Sequence, residues 1–130
     1  DAVDKIKSIL HAEIEKYLLH FKGSDEGFIK NWPLNYDING WLISMKSGGA
    51  LAAHIHDNGW LSGSIYINVP PKATPEAGNL VVCLDSKENS HSINVVTGSL
   101  CLFPASLRHY TLPFEAKENR TVLAFDVIPL

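Results

Sequence analysis

The sequence predicts a mainly β fold, an antiparallel barrel or jelly roll preceded by one amphipathic helix. Three observations predict it. Apolar residues at three- and four-residue spacing run through the first 22 positions and then stop. From Asp37 onward the chain breaks into short runs of Val, Ile, Leu and aromatic residues, separated by turns carrying Gly, Pro, Asn and Ser. About eight such runs in one chain of domain size is the pattern of a closed or two-layered β architecture.

The helix is read first. Val3, Ile6, Leu10, Ile14, Tyr17 and Phe21 share one face, Asp1 is a candidate N-cap, and Gly23 is a stop signal after Lys22. The predicted organisation is one domain over residues 1–130, with a helix at 1–22 packed outside a barrel at 37–130. His11 and His20 fall near the polar side of the helix and read as solvated.

The strand candidates follow in order. Trp41–Met45 runs into the turn Ser47-Gly48-Gly49, and Leu51–His56 into the loop Asp57-Asn58-Gly59. Ser62–Val69 alternates and ends at Pro70-Pro71. Leu80–Leu84, Ser92–Val96, Leu100–Phe103 and Thr121–Ile128 complete the set. The loop at 70–79 is long enough for a lid, although loops of this kind usually just connect strands. Trp41 is expected in the core and Trp60 at the mouth of a site, while His91, in a polar stretch, is expected in solvent.

Bulk properties exclude some functions. Hydrophobic residues make up 45% and charged residues 19%, as in an ordinary globular protein. A net charge of −3 supplies no electrostatic reason to bind nucleic acid or an anionic membrane. No apolar run approaches the roughly 20 residues that span a bilayer. Residues Asp1 to Lys7 read as a charged helix start rather than a leader. Cys83 and Cys101 lie in apolar strand-like runs and are expected as reduced thiols, which favours a cytoplasmic location. Oligomeric state stays open between monomer and homodimer.

The candidate chemistry begins at Ala53-His54-Ile55-His56-Asp57. Residues two apart on a strand point to the same side, so His54 and His56 would aim two imidazoles at one place. Imidazole suits iron, zinc, copper or nickel. The competing reading is two histidines on a polar strand face. A second element, Gly98-Ser99-Leu100-Cys101-Leu102-Phe103-Pro104-Ala105-Ser106-Leu107-Arg108-His109, would return a third histidine, His109, from a distant strand. Taken alone, His109 also reads as a surface-turn histidine. The third element is Arg120, at the start of the apolar run Thr121–Phe125. An arginine there needs an anionic partner, either a bound carboxylate held bidentately or a neighbour such as Glu115 or Glu118.

Together, His54-x-His56, Trp60-Leu61-Ser62-Gly63-Ser64-Ile65-Tyr66, Gly98-x-Leu100-x-Leu102-Phe103-Pro104, His109 and Arg120 resemble the 2-oxoglutarate/iron(II) oxygenase family. Within it, the match is to domains at the C-terminal end of tetratricopeptide-repeat proteins. It covers about Trp41 to Pro129. It implies a double-stranded β-helix, a jelly-roll or cupin-like barrel, and a dioxygenase of the hydroxylase type. Its co-substrates would be 2-oxoglutarate and dioxygen, and its metal iron(II). His54, His56 and His109 would be the metal ligands and catalytic centre. Arg120, with Tyr66, would hold the far carboxylate of 2-oxoglutarate, and Ser62 and Ser64 would add to the same polar lining. The substrate would be a peptide side chain or a small molecule.

One departure matters. The wider superfamily usually carries a carboxylate two residues after its first histidine, where this chain has His56. The third ligand is therefore His56, or Asp57 if a bulge turns it inward. Two other functions remain open. One is a cupin-like metalloprotein that does not use 2-oxoglutarate, and the other is a non-catalytic binding module. Arg120 discriminates, since only an oxygenase needs it in the barrel facing the metal.

Overall fold

A computed structural model of the chain describes residues 1–84 and 89–130. Helix α1 spans Ala2–Phe21, where its apolar periodicity places it, and the Asp1 carboxylate accepts a hydrogen bond from the Asp4 N–H at 2.9 Å. Only Leu10 and Ile14 of its stripe are fully buried. Val3, Ile9 and Leu19 remain exposed, so the helix docks through its middle. A second helical turn, α2 (Gly27–Lys30), was not anticipated, because four residues leave no periodicity to detect. It carries Phe28 into an aromatic cluster with Tyr17, Trp32 and Trp60.

Eight strands follow: β1 (Tyr36–Met45), β2 (Leu51–His54), β3 (Leu61–Asn68), β4 (Leu80–Cys83), β5 (Ser90–Ile93), β6 (Leu100–Pro104), β7 (His109–Thr111) and β8 (Arg120–Pro129). They form two four-stranded antiparallel sheets, ordered β1-β8-β3-β6 and β2-β7-β4-β5. The fold is mainly β and jelly-roll-like, as predicted. The fifth strand begins two residues earlier than Ser92, and β7 is a three-residue strand with no propensity signature of its own. It forms because β2 and β4 flank it with free hydrogen-bonding edges.

Strand alternation divides the core in two. One face of the larger sheet presents Ile38, Leu61, Phe125 and Val127 to Leu10 and Ile14 of α1. The opposite face presents Tyr66, Phe103 and Val122 to Leu80, Val82 and Val95. Gly63 is essential to the first layer: a Cβ there would lie 2.2 Å from Cζ of the buried Phe125 ring. The second layer holds the candidate site.

The connection at 70–79 is tied down. The buried Asn79 side chain bonds Lys72, the Pro75 carbonyl and Ser92, and Glu76 accepts from the Ser92 hydroxyl at 2.6 Å. It therefore serves as a pinned strand connection rather than a lid. Cys83 and Cys101 are both free thiols. Among the described residues, no helix is long and apolar enough to cross a membrane.

Candidate functional site

His54 closes β2 and His109 opens β7, and the two are direct register partners across that ladder. His56 lies just past the strand, in a turn clamped to the core. Its N–H donates to the Ala105 carbonyl at 3.2 Å, and the Trp60 N–H donates to the Val127 carbonyl at 2.8 Å. One ligand atom from each of His54, His56 and His109 lies within 4.8 Å of the others. Asp57 is exposed in the turn and outside this group.

The unused nitrogens are organised. Nδ1 of His54 donates to the Ala52 carbonyl at 2.8 Å, and Nδ1 of His109 to the Leu107 carbonyl at 3.0 Å. Nδ1 of His56 meets Asp126 Oδ2 at 2.8 Å. Because these partners accept hydrogen bonds, each Nδ1 carries a proton, which leaves Nε2 as the nitrogen available to the centre. Nε2 of His56 and Nε2 of His109 are 3.2 Å apart. Two ligands held about 2.1 Å from one first-row metal stand roughly this far apart. Burial, reinforced by His54 and His56, pushes His109 down to about 4 against the Leu107 carbonyl, so its ring is neutral at pH 7.

Asp126 was not singled out in the sequence. The signal was available: strand alternation places it on the same face as Arg120, three inward positions further along β8. It is 7% exposed, and both its oxygens are engaged, one by His56 and the other by the Ser62 hydroxyl at 2.6 Å. Ser62 is thus directed at Asp126, and it lines the same cavity as Ser64, Tyr66 and Arg120.

Arg120 is 3% exposed. Its Nη2 donates to the Gly78 carbonyl at 3.0 Å, its Cζ lies 5.2 Å from the centre of the Tyr66 ring, and its buried Nε has no partner. No salt bridge among the described residues involves Arg120, so Glu115 and Glu118 do not neutralise it. Burial lowers its pKa, opposed by Tyr66, yet guanidinium stays charged at any physiological pH. Tyr66 is pushed up to about 12, chiefly by burial, so its hydroxyl keeps its proton. Ser64 lines the same cavity as Tyr66. Gly78, at φ +70°, lets the backbone approach the guanidinium: a Cβ there would sit 3.4 Å from Arg120 Nε.

The three histidines, Tyr66 and Arg120 line one cavity between the sheets. A buried cation with no salt bridge among the described residues at one side and three convergent imidazoles at the other fit a dianion that also binds a metal. The aromatic expectations change places. Trp41 lines the cavity, is 40% exposed and stacks on His56 at 5.8 Å between ring centres. Trp60 instead stacks on Phe28 at 5.6 Å. Trp41 faces inward because it pairs with Ala124, on the same side as Arg120 and Asp126.

Solved structures share this fold. A prolyl-4-hydroxylase from Pseudomonas putida aligns with TM-score 0.63 at 21% identity, covering 78% of this chain and 58% of that one. An oxidoreductase of the 2OG-Fe(II) oxygenase family from Burkholderia pseudomallei aligns with TM-score 0.63 at 15% identity, covering 77% and 48%. HygX from Streptomyces hygroscopicus, solved with nickel and 2-oxoglutarate bound, aligns with TM-score 0.54 at 16% identity, covering 76% and 59%. The chain thus spans about half to three fifths of the length of these proteins. No curated protein matches its sequence. The family described as "Putative 2OG-Fe(II) oxygenase" matches residues 39–126, from β1 through Asp126. The chain therefore belongs to the 2-oxoglutarate- and iron(II)-dependent oxygenase family.

Proposed function

We propose that this domain, residues 1–130, is a dioxygenase that hydroxylates a peptide side chain or small molecule, with iron(II) and 2-oxoglutarate bound in the cavity between the sheets. The observation that carries the reading is the buried guanidinium of Arg120, which lines the same cavity as the histidine cluster and has no carboxylate partner among the described residues. Burying a charge without a partner is costly, so the site is built for an anion that arrives with the co-substrate. A metalloprotein that did not use 2-oxoglutarate would leave Arg120 unexplained.

His54, His56 and His109 would hold the metal through Nε2, each oriented by its Nδ1 hydrogen bond. Arg120 would receive the far carboxylate bidentately, and the Tyr66 hydroxyl, protonated at neutral pH, would donate to it. Iron(II) with 2-oxoglutarate supplies oxidation of the substrate by dioxygen, coupled to decarboxylation to succinate. The chain's own contribution is to fix the co-substrate's two ends and to exclude water with Phe103, Val122 and Leu80. Trp41, at the cavity's exposed side, would meet the substrate.

The test is an anaerobic titration of 2-oxoglutarate into iron(II)-loaded protein, following the visible metal-to-ligand charge-transfer band. Wild type should develop the band. Arg120→Ala should bind 2-oxoglutarate roughly a hundredfold more weakly, the loss of a charge-assisted pair. Arg120→Lys should fall between them, because a point charge cannot reproduce the fork. Bound iron with no band in wild type would overturn the 2-oxoglutarate reading.

A further inference from the structure

Resting on the metal reading above, we propose that Asp126 is a positioning residue that supplies negative charge to the metal through His56. The three convergent side chains are all imidazoles, so among the described residues a bound divalent ion would find no anionic ligand in this group. A carboxylate lies one ring away: Asp126 Oδ2 is 2.8 Å from His56 Nδ1. A carboxylate accepting that proton pulls it toward itself, and the imidazole becomes a stronger donor at Nε2.

The rest of the neighbourhood is arranged around this contact. The Ser62 hydroxyl holds the second oxygen at 2.6 Å and thereby fixes the carboxylate's rotation. Ser62 and Asp126 are register partners on β3 and β8, so the rigid centre of the larger sheet holds the pair. The turn that carries His56 presses onto the same spot. Gly59 passes so close that a Cβ there would lie 3.3 Å from Asp126 Cγ and 3.0 Å from Ala105 Cβ. The Trp60 N–H then binds the carbonyl of Val127, the residue after Asp126. His54 and His109 have only main-chain carbonyls at Nδ1. Of the three rings, His56 is the one whose Nδ1 meets a carboxylate directly.

The experiment compares wild type, Asp126→Asn and Ser62→Ala by cobalt(II) affinity and by the energy of the iron(II)–2-oxoglutarate charge-transfer band, with far-ultraviolet circular dichroism reporting the fold. Asp126→Asn keeps the shape and a hydrogen bond but removes the charge. It should weaken cobalt(II) binding 10- to 100-fold and move the band to higher energy, since a poorer donor lowers the metal's filled orbitals. Ser62→Ala should shift both quantities in the same direction by less. In zinc-loaded wild type, nitrogen NMR should find the His56 proton on Nδ1, with a proton resonance further downfield than those of His54 and His109. A folded Asp126→Asn protein with cobalt affinity within twofold of wild type and an unmoved band would overturn the role of Asp126 and leave the metal reading intact. So would a His56 without a proton on Nδ1. Wild type that takes up no cobalt would overturn the metal reading itself, and this role with it.

Discussion

His54 and His109 stand directly opposite each other on β2 and β7, with ring centres 4.3 Å apart. The pairing of the two strands therefore assembles the centre of the site, and His56 joins it from the adjoining turn. His109 is also the most enclosed of the three, at 6% exposed. Replacing His109 with Ala removes a ligand but leaves the β7 backbone bonds intact. The expected outcome is loss of measurable iron(II) or cobalt(II) binding with an unchanged circular dichroism spectrum. Unaltered metal affinity in this variant would remove His109 from the site.

The acidity of His109 gives a pH prediction for the metal-free protein. Its folded-state pKa is depressed to about 4, from an ordinary value of 6.5. As pH falls through 6.5 the unfolded chain takes up a proton that the folded chain refuses. The contribution of this residue to stability is thus complete above pH 6.5, is lost progressively between 6.5 and about 4, and changes little below that. Two-dimensional NMR of the ring should show His109 signals flat from pH 7.5 to 5. A midpoint near 6.5 would contradict the burial argument.

Gly63 supplies a packing prediction. Phe125 is 1% exposed and its ring lies across the Gly63 backbone, with Cζ, Cε1 and Cε2 all inside 3.0 Å of where a Cβ would be. Gly63→Ala forces the ring into a core that α1 already fills. The expected loss is about 1–3 kcal/mol, typical of overpacking, read as a lower denaturation midpoint with an unchanged denaturant slope. Gly23→Ala, where nothing lies within 4 Å, is the comparison and should stay within about 0.5 kcal/mol of wild type.

Trp41 offers an optical reporter. It stacks on a candidate ligand ring at the cavity, whereas Trp32 and Trp60 pack around Phe28. Cobalt(II) should quench part of the tryptophan emission of wild type, and Trp41→Phe should abolish most of that quenching without altering cobalt affinity. Quenching that persists in Trp41→Phe would place the metal elsewhere.

Helix α1 could be read from the sequence because its signals are local: a cap at Asp1 and a periodic stripe containing Leu10 and Ile14. The long strands β3 and β8 could be read for the same reason, since the alternation of the one and the β-branched and aromatic run of the other are visible without partners. Strand β7 could not, because three residues form a strand only when neighbouring edges supply their hydrogen bonds. Trp41 and Trp60 were misjudged because composition says that an indole is apolar, not which side of a sheet its register turns it to. Asp126 was overlooked because a lone acidic residue in an apolar strand carries meaning only once His56 and Ser62 are beside it.

The sequence by itself determined the fold class, the family, the candidates His54 and His109 with either His56 or Asp57 as third, and the candidate roles of Arg120 and Tyr66. All of these rest on residue type, order and spacing, which the linear chain contains. Only the tertiary structure decided that Arg120 is buried with no salt bridge among the described residues, that Ser62 bonds Asp126, and that Trp41 rather than Trp60 borders the cavity. Each of those depends on the antiparallel registers β1–β8 and β3–β8, because a shift of one residue would turn every one of these side chains to the opposite face.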